Sequence, residues 1–212
     1  MPYRLALFDF DGTLADSFPW FASVINDTAD KFRFRRVEAH EVDGLRGQSS
    51  REMMRILGVS AWKLPFIGRY IRKRKAQDLH AIPLFAETHD ALRRLDGAGV
   101  TLAIVSSNSE ANIRKMLGPE TAALIAHYEC GSSLHGKARR FRKLLRQSGV
   151  AAPDAIAIGD ELRDIDAARD AGIAFGAVTW GYTHGAAMKA AAPDFAFDTF
   201  DDMVATIVPP AR

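Results

Sequence analysis

Short apolar runs that each end on a polar side chain recur along the chain: LALFD (5–9), TLAIVS (101–106), AIAIGD (155–160) and AFGAVT (174–179), with a shorter DFAF (194–197) behind them. Between them lie stretches with helical character, ETHDALRRLDGAG, SEANIRKMLG, KARRFRKLLRQSG and ELRDIDAARDAG, most of which close on glycine as helix ends do. Strands covered on both faces read as continuous apolar runs, and strands alternating with helices build a parallel sheet. The pattern predicts an α/β core, a doubly wound parallel sheet.

Residues 16–82 break that rhythm. FASVINDTADKF puts Phe21, Val24, Ile25, Thr28, Ala29 and Phe32 on one helical face. SSREMMRILG starts with Ser49 and Glu52 at capping-box spacing, and AWKLPFIGRYIRKRKAQDL is helical again, interrupted at Pro65. No strand is expected here. The segment is read as an all-helical insertion after the first strand, with residues 1–15 and 83–212 forming the core.

Composition narrows the function classes. The 212 residues are 48% hydrophobic and 25% charged, with a formal net charge of only +2, so nothing in the overall charge argues for a nucleic-acid or membrane partner. Carboxylates interrupt the N-terminal apolar run too early for a signal peptide, and no run approaches the ~18 residues of a membrane span. The one cysteine, Cys130, has no internal partner and is expected to be packed, in keeping with a cytoplasmic setting.

The first run carries the chemistry. It ends in Asp9, adds one aromatic residue and then places Asp11, followed by Gly12 and Thr13. Two carboxylates this close repel, and burying one without a partner costs several kcal/mol, so a cation or a reacting group is expected beside them. Ligands of parallel α/β sheets bind at the carboxyl ends of the strands, which sends Asp9, Asp11, Ser106, Ser107 and Asp160 to one crevice. Asp9, Asp11, Asp160 and Asp164 are oxygen donors suited to a hard cation such as Mg²⁺, and no Cys/His cluster competes for a softer one.

DFDGT (9–13), AIVSSN (103–108), Lys137 in LHGKARR and IGDELRDIDAARDAG (158–172) stand in the order of the four motifs of the haloacid dehalogenase-like phosphohydrolases, and the chain resembles that superfamily, in particular its phosphoglycolate phosphatase-like members. The resemblance implies a Rossmann-like core and a Mg²⁺-dependent phosphatase of small phosphomonoesters. Asp9 would be the nucleophile that becomes an aspartyl phosphate, and Asp11 the general acid and then base, its backbone carbonyl also binding the metal. Asp160 would complete the metal ligands, with Asp164 holding a metal-bound water or orienting Lys137. Lys137, Ser106, the Ser107 amide and Gly12 would serve the phosphate, with either Ser106 or Ser107 supplying the hydroxyl, and Thr13 would support Asp11 by a hydrogen bond. The third motif departs from these relatives, with Ala138 where a proline often follows the lysine. Because Asp11 is present, carbon–halogen cleavage is not expected.

By the same resemblance, residues 16–82 correspond to a helical cap that closes over the site, and GLRGQSSRE (44–52) to its site-facing loop. Arg46, Gln48 and Arg51 are then the candidate selectors of substrate, and an arginine there would favour a second anionic group such as the carboxylate of phosphoglycolate. The expected partner is a small phosphorylated metabolite, with the protein a monomer or homodimer. A phosphosugar mutase, or a binding protein keeping the fold, is the alternative. The basic run RYIRKRK (69–75) is taken as a solvated helix face, with cap charge offered to an anionic substrate as the sharper alternative. Trp20, Trp62 and Trp180 are taken as packing residues, Trp20 close enough to the catalytic loop to sit at the cap hinge.

Overall fold

The computed structural model describes residues 3–46, 48, 50–131 and 136–208. The chain runs β1 (Leu5–Phe8), α1 (Phe18–Phe32), α2 (Val42–Leu45), α3 (Ser50–Ile56), α4 (Leu64–Gln77), α5 (Thr88–Gly97), β2 (Thr101–Val105) and α6 (Glu110–Leu124). It continues with β3 (Ile125–Glu129), α7 (Lys137–Ser148), β4 (Ala155–Gly159), α8 (Leu162–Ala171), β5 (Ala174–Val178), α9 (Gly185–Ala190), β6 (Phe195–Phe197) and α10 (Phe200–Ile207). Six parallel strands form one sheet in the order β3-β2-β1-β4-β5-β6.

Alternation along β1 shows how the layers form. Ala6 and Phe8 face a core shared with Leu92 and Leu95 of α5, Ile113 and Leu117 of α6, and Met203 and Ile207 of α10. Leu5 and Leu7 face the opposite layer, with Phe141 and Leu144 of α7 and Ile165 and Ala168 of α8. Both faces are covered, which is why the strands are apolar throughout. The chain fills one side of β1 with β2 and β3, then crosses to its other side for β4, β5 and β6, so the sheet's switch point lies at the carboxyl end of β1, where Asp9 follows.

Three elements were not expected. IAHYE forms β3, an edge strand paired to β2 alone; its alternating, half-exposed side chains give no continuous apolar run. The short α9 and α10 lie on either side of β6. Among the described residues 16–82 only helical elements form, as expected, and the chain leaves and re-enters the core through two adjacent segments. Ala15 bridges Leu84 antiparallel, and Asp16 N–H donates to the Pro83 carbonyl at 2.9 Å. In α1 the buried positions are Trp20, Val24, Thr28 and Ala29. The Ser49 half of the expected capping box lies outside the described residues.

Two aromatic expectations divide. Trp180 stacks on Phe200 with ring centroids 4.6 Å apart, whereas Trp62 is 69% exposed against Phe66 and is not a packing residue. Cys130 is partly buried, and burial pushes its thiol up to about 12, as befits a packed side chain. No helix among the described residues is long and apolar enough to cross a membrane.

Candidate active site

Beyond β1 the backbone turns sharply at Gly12, whose φ is +82° and whose N–H donates to the Ala15 carbonyl at 2.8 Å. A Cβ at Gly12 would lie 2.2 Å from Asp160 Oδ2, so only glycine lets this turn approach the end of β4. The turn sets Asp9 and Asp11 at the mouth of the crevice. Asp9 is 7% exposed; its Oδ1 accepts from Phe10 N–H at 2.6 Å and its Oδ2 from Lys137 Nζ at 2.7 Å.

Lys137 opens α7 directly behind Gly136, and its ammonium also donates to Asp164 Oδ2 at 2.7 Å. It therefore bridges the end of β1 and the first turn of α8. Burial works against its charge, but Asp164 and then Asp9 outweigh that and raise its pKa above the ordinary lysine value. Asp160 is fully buried. Desolvation first, then the charge of Asp9, push its carboxyl well above the usual range. Its two oxygens accept from Thr13 Oγ1 at 2.9 Å and Tyr182 N–H at 2.7 Å. Desolvation likewise raises Asp164, with Lys137 acting in the opposite direction. Ser106 closes the crevice beyond β2, buried at 2% exposure and accepting from Asn108 N–H, while Ser107 is exposed.

The family model for haloacid dehalogenase-like hydrolases matches residues 6–178, a span that holds Asp9, Asp11, Ser106, Lys137, Asp160 and Asp164. The chain belongs to that family. It is 32% identical over 202 residues to a phosphoglycolate phosphatase of Synechococcus elongatus, covering 95% of each chain. It is 30% identical over 212 residues to one of Agrobacterium fabrum, covering 92% of this chain and 88% of that one. Among solved structures, a putative phosphoglycolate phosphatase from Lactobacillus plantarum superposes with a TM-score of 0.82 at 21% identity, over 96% of this chain and 99% of its own. The protein is thus a hydrolase of the phosphoglycolate phosphatase-like branch of the family.

The hydrolase's acidic centre can be tested for a metal. Among the described residues no three His, Cys, Asp or Glu side chains converge as a ready cage. Mg²⁺ does not require one: it keeps waters and takes one or two carboxylates plus substrate phosphate. Asp9 and Asp160, close enough for the charge of one to raise the pKa of the other, together with the Asp11 carbonyl, fit that donor set. Four carboxylates (Asp9, Asp11, Asp160, Asp164) share this centre with two ammonium groups (Lys75, Lys137), a formal excess of two negative charges that one divalent cation offsets. Asp164, expected among the ligands, has Oδ2 on Lys137, and its Oδ1 is buried with no hydrogen-bond partner.

Several expectations change. Thr13 supports Asp160, not Asp11, because the turn at Gly12 carries its hydroxyl toward the end of β4. The Gly12 N–H, expected to serve the phosphate, donates to the Ala15 carbonyl at 2.8 Å. Arg46 does not reach into the crevice: Nε donates to the Tyr182 carbonyl at 3.1 Å, Nη2 to that of Gly181 at 2.7 Å, and the guanidinium lies 4.7 Å from the centroid of Phe18. Gln48 is exposed, and the Arg51 side chain lies outside the described residues.

The basic run is not uniformly solvated either. Arg69 and Lys73 are exposed and Arg74 pairs with Asp78, but Lys75 is 6% exposed and donates to Asp11 Oδ1 at 2.7 Å. Three further residues escaped the motif reading. Tyr182 joins Asp160 to the helical insertion and shares a 2.9 Å hydrogen bond with Ser17 Oγ. Arg163 pairs with Glu161 at 2.6 Å while its Nε is buried without a partner. Asn108, 2% exposed, keeps Nδ2 unbonded while Oδ1 accepts from Ser109 N–H and Asn112 Nδ2. Only Asn108 had a visible signal, a polar side chain three places past the end of β2.

Proposed function

We propose that the chain is a Mg²⁺-dependent phosphatase that hydrolyses a small phosphomonoester, phosphoglycolate foremost, through an aspartyl phosphate on Asp9, working in the cytoplasm with residues 16–82 as its cap. The observation that carries this reading is the Lys137 ammonium, 2.7 Å from both Asp9 Oδ2 and Asp164 Oδ2. It fixes the nucleophile's carboxylate and offers positive charge where a transferring phosphoryl group would gather its negative charge.

In the first step an Asp9 oxygen attacks phosphorus while Asp11, two residues on, gives its proton to the departing ester oxygen. In the second, Asp11 takes a proton from a water that attacks the aspartyl phosphate, returning free Asp9 and inorganic phosphate. Ser106, buried at the end of β2, and the Ser107 amide orient the phosphoryl oxygens. Asp160, held by Thr13 and Tyr182, would hold Mg²⁺ together with Asp9 and the Asp11 carbonyl. When bound, the ion supplies charge neutralisation for the phosphate and the buried carboxylates. The likeness of the chain to phosphoglycolate phosphatases supports the choice of substrate.

The reading is tested by phosphate release from 2-phosphoglycolate with Mg²⁺ and no sugar bisphosphate present. Sustained turnover in the wild-type protein, lost at least a thousandfold in Asp9→Asn and on chelation, is expected. Undiminished turnover in Asp9→Asn would remove the nucleophile assignment, and a requirement for a sugar bisphosphate would move the enzyme to the mutases.

A further inference from the structure

We propose that Lys75, projecting from the last turn of α4, recognises a carboxylate carried on the carbon next to the phosphate ester, and so sets the substrate class of the site. The inference rests on the phosphatase reading given above and goes beyond it by assigning specificity to a residue outside the family motifs.

A buried lysine needs a partner, and the protein interior holds few of them. Lys75 is 6% exposed, and its Nζ donates to Asp11 Oδ1 at 2.7 Å. Its other close neighbour is the Trp20 ring, with Nζ 5.2 Å from the centroid. Trp20 is itself fixed: Nε1 donates to Asp78 Oδ2 at 3.1 Å, and Arg74 Nε donates to the same oxygen at 3.1 Å. The end of α4 thus locks an aromatic wall over which the Lys75 ammonium sits. An ammonium has three donors, and one goes to Asp11, so Lys75 keeps hydrogen-bonding capacity for a ligand.

Geometry then restricts that ligand. A general acid must come within about 3 Å of the ester oxygen it protonates. Lys75 Nζ is 2.7 Å from Asp11 Oδ1, so where that oxygen serves the ester the ammonium lies within two hydrogen-bond lengths, roughly 6 Å, of the leaving oxygen. In an ester of the form phosphate–O–CH₂–COO⁻ the carboxylate oxygens stand roughly 3 Å from that oxygen by ordinary bond lengths. The ammonium can therefore meet this carboxylate while Asp11 meets the ester oxygen. A carboxylate several carbons further out would pass beyond it.

Four other described cations of the insertion do not compete for this role. Arg46 is engaged with two core carbonyls, Arg74 with Asp78, and Arg69 and Lys73 are exposed on the outer side of α4. Lys75 is the described cation of the insertion that reaches a catalytic carboxylate.

The test compares 2-phosphoglycolate with ethyl phosphate, which has a methyl group in place of the carboxylate, in the full-length enzyme with Mg²⁺. Because both are assayed in one sample, the ratio of their kcat/KM values does not depend on the fraction of protein correctly folded. The wild-type enzyme is expected to prefer 2-phosphoglycolate by at least tenfold; Lys75→Met should erase that preference, and Lys75→Arg should restore part of it. A second comparison needs no variant: the preference should fall by at least tenfold when the carboxylate is moved two carbons away from the ester carbon. Equal losses on both substrates in Lys75→Met, or a wild-type enzyme indifferent to the carboxylate, would overturn the role of Lys75 and leave the phosphatase reading standing. No hydrolysis of either ester would instead overturn the phosphatase reading.

Discussion

The backbone N–H of Tyr182 donates to Oδ2 of Asp160 at 2.7 Å, and the carbonyl of the same residue accepts from Arg46 Nε at 3.1 Å. One peptide segment of the core thus grips a buried carboxylate on one side and the helical insertion on the other. Neighbouring contacts reinforce the grip. The Gly181 carbonyl accepts from Arg46 Nη2, His184 N–H donates to the Arg46 carbonyl at 3.1 Å, and His184 Nε2 lies 2.8 Å from the Asp43 carbonyl. Gly181 is required for the approach, since a Cβ there would fall 2.1 Å from the Asp160 Cβ. Docking of the insertion and placement of Asp160 are therefore mechanically joined.

Arg46→Ala removes the two side-chain donors that tie α2's end to this loop. Charge-assisted hydrogen bonds contribute about 1.5–3 kcal/mol each when buried, and Arg46 is partly exposed, so the low end applies. The Mg²⁺ concentration for half-maximal activity is expected to rise about tenfold, because the segment whose Tyr182 N–H holds Asp160 loses its tie to α2. The direct check is Mg²⁺ titration of the protein by calorimetry, without substrate. A variant with unchanged Mg²⁺ affinity and a raised KM for the phosphate ester alone would return Arg46 to the role of substrate selector.

Gly12→Ala tests the turn. An alanine must adopt φ near +82°, and its Cβ would overlap Asp160 Oδ2, a side chain already fixed by two hydrogen bonds. Backbone strain of this kind costs about 1–3 kcal/mol, and the overlap adds displacement of Asp160. The expected result is a lowered melting temperature and a loss of activity of at least a hundredfold, read by calorimetry and phosphate release. A well-folded variant with wild-type kcat would show that Asp160 can move without consequence.

Much of this centre was legible in the sequence because it lies at strand ends. A hydrophobic run that stops on Asp9, Ser106 or Asp160 encodes both the strand and the direction in which its last side chain emerges. Lys137 was legible only through its motif, since a lysine opening a helix is ordinary by itself. Neither the burial of Lys75 against Asp11 nor the engagement of Arg46 with core carbonyls could be read from the sequence, for a common reason. Their roles depend on how the insertion docks on the core, and periodicity within a helix carries no record of the surface that will face it. In RYIRKRK the inward position differs from its neighbours by rotation about the α4 axis alone. Tyr182 acts mainly through its backbone N–H and carbonyl, and so left no side-chain signal at all. Edge strand β3 was hidden by its polar alternation.

Lys137→Met separates the electrostatic account from a purely catalytic one. Removing an active-site group commonly relieves strain and stabilises a protein, because such groups are placed for function against local packing. Here the opposite is expected. Lys137 lies between Asp9 and Asp164, which are 7% and 1% exposed, and its loss leaves two buried carboxylates facing each other. Removing one partner of a buried pair costs about 3–5 kcal/mol, and the partial exposure of Lys137 favours the lower figure. For a chain of this size 3 kcal/mol corresponds to a fall in Tm of ~6–12 °C. The loss should be measured without Mg²⁺ by differential scanning calorimetry, and added Mg²⁺ should recover part of it, since a cation beside Asp9 does some of the work of the missing ammonium. Phosphate release should fall by a factor of a hundred or more even where the fold is rescued, because the ion cannot replace the donor that the proposed mechanism offers to the phosphoryl oxygens. An unchanged or raised Tm in Lys137→Met would mean that Asp9 and Asp164 are neutral in the resting enzyme, and the charge balance drawn for this centre would have to be rebuilt around protonated carboxyls.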